Sequence, residues 1–88
     1  MTTFRDMAEG VQEMLWNTAT QIDGFEDAAE EEQVGILDEL AELFAGKAAE
    51  LGYSLDPEAA TIAGLDEDET AEALEKIEQE FDAAVWQI

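Results

Sequence analysis

Apolar side chains recur along this chain at intervals of three and four, the repeat of a helix with one buried face. Phe4, Ala8, Val11, Leu15, Ala19 and Ile22 make the first such stripe, and Met7, Met14 and Trp16 widen it. A first helix is therefore expected to begin after Thr2 or Thr3, whose hydroxyls suit an N-cap, and to stop at the turn-forming pair Asp23-Gly24. The second stripe is Val34, Leu37, Ala41, Phe44, Ala48 and Leu51, flanked by Ile36, Leu40 and Leu43. So broad an apolar face predicts the central helix of the fold, packed on more than one side. Glu26, Asp27, Glu30, Glu31 and Glu32 occupy its first turns, where the positive end of the helix dipole favours acids. Gly35 and Gly46 fall inside it, each at a cost of about 1 kcal/mol against Ala, so each is a candidate for a close helix crossing or a break. Gly52 suits the position just past its end.

Asp56-Pro57 reads as an N-cap followed by the first helical residue, which makes PEAATIA a short helix closed by Gly64. The last helix is expected from Asp66, with Glu69 three residues on completing a capping box and Leu65 placed as the staple before it. Its apolar stripe is Ala71, Leu74, Ile77, Phe81, Ala84, Val85 and Ile88. No segment alternates with period two, so no strand is expected. The fold class that follows is all-α: a small bundle of three longer helices plus one short helix, forming a single domain over residues 1–88.

Charge changes this picture from one of fold to one of function. The 88 residues hold 24 Asp and Glu against 3 Lys and Arg, a net charge of 3 − 24 = −21. Such a charge accompanies disorder when apolar content is low, but here 47% of residues are apolar and they are patterned. With no Cys and no His, thiolate sites, Cys nucleophiles, the usual zinc ligands and the usual neutral-pH general base are all missing. Ser54 has no His partner for a triad. The run Asp66-Glu67-Asp68-Glu69-Thr70 fails as a calcium loop, because the positions that require Gly and Glu hold Ala71 and Ile77. No carboxylate pair stands out as an acid–base couple, and a bundle this small has little room for a substrate cleft. The reading is a protein that is not an enzyme, with no catalytic residues, cofactor or metal. Three bases do not make a phosphate cradle, so no direct nucleic-acid binding is expected. The opening MTTFRDMAEG has no signal-peptide pattern and no apolar run reaches the ~20 residues of a membrane span. A cytoplasmic protein without a membrane partner is expected, monomeric or homodimeric.

The acid is unevenly spread. Residues 1–25 carry four acids and Arg5, for −3, whereas residues 26–88 carry twenty acids, Lys47 and Lys76, for −18. On the last helix Glu69, Glu72, Glu75, Glu78 and Asp82 follow one another at spacings of 3, 3, 3 and 4. Helix neighbours at such spacings lie roughly 5–6 Å apart, on the scale of the ~3.4 Å rise between phosphates of a DNA strand. A surface built to grip DNA with Lys and Arg would meet these carboxylates by the same electrostatics. Glu30 and Glu31 form a second cluster. Trp16 and Trp86 each follow a stripe residue and so lie at the edge of the core face; each is also a candidate anchor at a partner interface.

In length, extreme acidity, absence of His and Cys, and carboxylate rows, the chain resembles the small acidic phage and mobile-element proteins that block DNA-processing enzymes. These include uracil-DNA glycosylase inhibitors, anti-restriction proteins and anti-CRISPR proteins. The resemblance implies a stoichiometric DNA mimic whose partner is a basic DNA-binding protein or enzyme, met in the host-cell cytoplasm if the chain is phage-encoded. The partner-binding residues expected on this reading are Glu69, Glu72, Glu75, Glu78, Asp82, Glu30, Glu31 and Trp86. The alternative is a small helical protein of a salt-accumulating halophile or its virus, an adaptor or virion component whose acidity is adaptation to salt. Two features weigh against it: Glu outnumbers Asp 16 to 8, and Arg5 is the sole Arg.

Overall fold

Three α-helices carry the fold in the computed structural model, which describes residues 3–56 and 58–86. They are α1 (Glu9–Ala19), α2 (Glu30–Glu50) and α3 (Glu67–Val85). A single 3-10 turn, Phe4–Asp6, precedes α1, and two short strands, β1 (Leu55–Asp56) and β2 (Thr61–Ile62), lie between α2 and α3. The expectation of an all-α bundle with a fourth, short helix is therefore incorrect: among the described residues the protein is mostly helical with a two-stranded antiparallel sheet, and the only short helical piece is the 3-10 turn.

Helix α2 is central, as its broad apolar face requires, and packs against α1, α3 and the 3-10 turn. It buries Leu37, Leu40, Ala41, Phe44 and Ala48. Phe44 meets Phe81 of α3 edge to face with ring centroids 5.8 Å apart, an arrangement that adds about 0.5–1.5 kcal/mol to the burial itself. Gly35 and Gly46 mark neither a crossing nor a break. The helix runs through both, and a Cβ at either position would meet nothing within 4 Å.

The end of α2 is a Schellman motif. Gly52 stands at φ +86, its N–H donates to the Ala49 carbonyl, and the Tyr53 N–H donates to the Ala48 carbonyl, both at 3.0 Å. Helix α3 starts where expected. The Asp66 carboxylate accepts the Glu69 N–H at 2.8 Å, and the Glu69 carboxylate accepts the Asp66 N–H at 3.3 Å, a complete capping box.

Residues 58–63, the described part of PEAATIA, belong to a hairpin and form no helix. Leu55 pairs with Ile62 and Asp56 with Thr61. The Asp56 carboxylate caps no helix; it accepts the Glu58 N–H at 3.1 Å within the turn. Seven residues, the length of PEAATIA, are too few to offset the cost of helix nucleation alone. Pairing instead puts Ile62, 3% exposed, and half-buried Leu55 on the core side, with Asp56 and Thr61 on the solvent side. Thr61-Ile62 is β-branched, which fits this geometry. Pro57, Ile88 and the alternative cap Thr2 lie outside the described residues.

The helices also begin and end differently from their apolar stripes. Met7 and Ala8 are extended (ψ 154 and 149), which separates the 3-10 turn from α1. The break drops Met7 into the core at 4% exposure and lets the Phe4 N–H donate to the Asp38 carboxylate at 3.0 Å. The Thr3 hydroxyl makes no helix cap; it donates to Asp6 at 2.7 Å. Helix α1 ends at Ala19, ahead of Ile22, and Gly24 at φ +84 turns the chain. Phe25 then plugs the core at 1% exposure, its ring T-shaped to that of Trp16 with centroids 5.5 Å apart. The Ala28 N–H and the Gln33 side-chain amide both donate to its carbonyl, at 3.1 and 2.8 Å. This turn delays α2 to Glu30, so Glu26 and Asp27 precede the helix.

Candidate functional site

Helices α1 and α3 flank α2, and an open groove of about 590 Å³ runs between them. On the α1 side Gly10, Glu13 or Met14, Asn17 and Gln21 follow one another at helical spacing; on the α3 side the sequence is Ala71, Leu74 or Glu75, Glu78, Asp82 and Trp86. The groove floor is apolar, built from Val11, Met14, Ala71 and Leu74. Val11 is fully buried there, while Met14 and Leu74 are half-buried against the core. Four carboxylates, of Glu13, Glu75, Glu78 and Asp82, line the walls, and no Lys or Arg does.

The α3 acids do not form one straight row. Each residue advances about 100° around a helix, so a step of three falls about 60° short of a full turn. The series Glu69, Glu72, Glu75, Glu78 therefore winds around the helix, and the final step of four to Asp82 turns partly back. Three of the five expected residues, Glu75, Glu78 and Asp82, face the groove. Glu69 is held in the capping box, and Glu72 is exposed and does not line this groove. Trp86, at the α3 C-terminal end of the groove, is 47% exposed.

Groove electrostatics are those of crowded, uncompensated acid. Glu78 has its carboxyl pKa raised above the ordinary value, first by burial and then by the charges of Asp82 and Glu75. Asp82 accepts a long, part-buried hydrogen bond of 3.4 Å from the Thr18 hydroxyl, which ties α1 to α3. Among the described residues the one ion pair is Lys47–Glu50 at 2.9 Å, within α2 and away from this site.

Glu30 and Glu31 lie elsewhere. With Arg5 and Val34 they line a smaller hollow of about 280 Å³ at the start of α2. The structure thus separates the expected partner-binding residues into a groove set and an α2 set. Glu13, Asn17 and Gln21 were not singled out by the sequence, because α1 has few acids and its polar residues read as a plain solvated face. The available signal was their spacing of four, opposite the apolar stripe.

No group of three or more His, Cys, Asp or Glu side chains among the described residues is placed to hold a metal ion. No helix among them is long and apolar enough to cross a membrane. No family model, curated protein or solved structure matches the chain.

Proposed function

We propose that the chain is a stoichiometric protein inhibitor that acts as a DNA mimic, its carboxylates occupying the basic DNA-binding surface of a DNA-processing or host-defence enzyme. The observation that carries this reading is negative charge held uncompensated on helices. Against 24 acids there are 3 bases, and the described residues contain one ion pair. Three of the α3 acids crowd one groove although their mutual repulsion opposes folding. Acid that serves only to hold water in concentrated salt has no need of such crowding.

The test is retention of bacterial lysate proteins on the immobilised chain at low salt, followed by a salt gradient. Basic DNA-processing proteins should be retained and should elute steeply with salt, as screening of a charged interface requires. Absence of any DNA-binding protein from the retained set would refute the reading. Circular dichroism in dilute buffer separates the halophile alternative: a mimic folds there, whereas a salt-adapted protein needs molar salt.

A further inference from the structure

We infer that the groove between α1 and α3 receives one basic amphipathic α-helix of the partner. The inference rests on the reading above, in that the partner is taken to be a basic DNA-binding protein, and it names the part of that partner which docks. Carboxylates alone would take any basic surface. This groove adds an apolar floor, Val11, Met14 and Leu74, between walls that carry Glu13 on one side and Glu75, Glu78 and Asp82 on the other. A ligand that matches both features is apolar along a narrow stripe and basic on either side of it.

Length fits a helix. From Ala71 to Trp86 the α3 wall is about 22 Å long at 1.5 Å per residue, or four turns. A docked amphipathic helix places its anchors at i, i+3 or i+4, and i+7, within about 10 Å. Its flanking Lys and Arg would lay their aliphatic stems over the floor and bring their charged heads to the wall carboxylates. Trp86, half-exposed at the α3 C-terminal end, supplies an aromatic anchor of the kind enriched at interface centres.

Charge decides against other occupants. A second copy brings another −21 to the same acidic walls, and nucleic acid or an anionic membrane surface is repelled likewise. DNA-binding proteins commonly carry a helix that enters the major groove, itself a cleft about 12 Å wide between rows of negative charge. The groove here offers such a helix a hollow likewise flanked by negative charge.

The test uses the full chain and two fluorescent peptides of about 18 residues, each a little longer than the groove. Both contain the same Leu and Lys residues. One gathers the Leu on a single helical face, and the other distributes them evenly around the helix. Binding is read by anisotropy, and Trp86 emission is read in a Trp16→Phe background. The amphipathic peptide should bind in equimolar ratio, about tenfold tighter than its scrambled counterpart, the effect of misplacing one buried Leu anchor. It should also shift Trp86 emission to the blue. Equal affinity for the two peptides would overturn the inference, because charge alone would then explain binding. Paired Met14→Gln and Leu74→Gln substitutions should abolish the preference, whereas Glu30→Gln with Glu31→Gln should preserve it. The peptide comparison on the unaltered chain decides the matter even if the floor variants fold poorly. Preference for the amphipathic peptide without displacement of DNA from a DNA-binding protein upholds the groove and refutes mimicry. Displacement without that preference does the reverse.

Discussion

Neutralising the acidic α3 wall of the groove, by Glu75→Gln, Glu78→Gln and Asp82→Asn together, should make the protein more stable. Glu75 and Glu78 are three residues apart on one helix, and Glu78 and Asp82 are four apart. A like-charge pair at such spacing costs about 0.2–0.5 kcal/mol, so the two pairs together cost about 0.4–1 kcal/mol. The partial burial of Glu78 acts in the same direction. Asn at position 82 keeps an oxygen that accepts the Thr18 hydroxyl, so the tie between α1 and α3 is retained. For a domain of this size 1 kcal/mol moves the melting temperature by about 4–8 °C, which predicts a rise of about 2–8 °C. Thermal unfolding followed by circular dichroism at low salt and neutral pH measures it. In about 1 M salt, where the Debye length is about 3 Å, the rise should shrink. The pH dependence has a definite sign. Glu78 has a raised folded-state pKa, so the stability linked to its protonation is full below its ordinary value of 4.5 and is lost as pH rises through the raised value. The gap between variant and unaltered protein should therefore open across that window and be small below it. A variant that melts at or below the unaltered protein at low salt and neutral pH would refute the view that the groove is a site of stored repulsion.

Further outcomes follow from the fold. Gly35→Ala and Gly46→Ala replace exposed glycines inside α2 where a Cβ has open space. Each should raise stability by about 1 kcal/mol, read from denaturant midpoints. Asp66→Ala removes the acceptor for the Glu69 N–H and should cost about 1 kcal/mol, while Asp66→Asn keeps an acceptor and should cost less; equal losses would show that the capping box does not fix the start of α3. Phe81→Ala empties a fully buried site against Phe44 and should cost about 3–5 kcal/mol, enough to unfold much of so small a domain. Loss of cooperative melting is the readout.

The helical framework was legible in the sequence because its signals are local. The three-and-four repeat through Leu37, Ala41, Phe44 and Ala48 is the buried face of α2, and Asp66 with Glu69 forms the cap of α3. The hairpin was not legible because Asp56-Pro57 and a run of Ala imitate a helix start. Tertiary burial of Ile62 and Leu55 overrides that local preference. Phe25 belongs to no helical stripe, yet it fixes the turn before α2, where Glu26 and Asp27 had been placed inside the helix. For the site, the type of residue was legible and its arrangement was not. A list of acids at spacing three looks like a row until the helix winds it, and the facing wall on α1 depends on how two helices sit against a third. Glu75, Glu78 and Asp82 thus came from the sequence, whereas Glu13 and the apolar floor came from packing.

On the proposed function, this acidic surface competes with DNA for a basic protein. Displacement of a fluorescent DNA duplex from a retained DNA-binding partner, titrated with the purified chain, tests it most directly. Complete release of DNA is expected at equimolar chain, with the Glu75→Gln, Glu78→Gln and Asp82→Asn variant requiring a large excess. DNA that stays bound while the chain saturates the partner, forming a three-component complex, would contradict it.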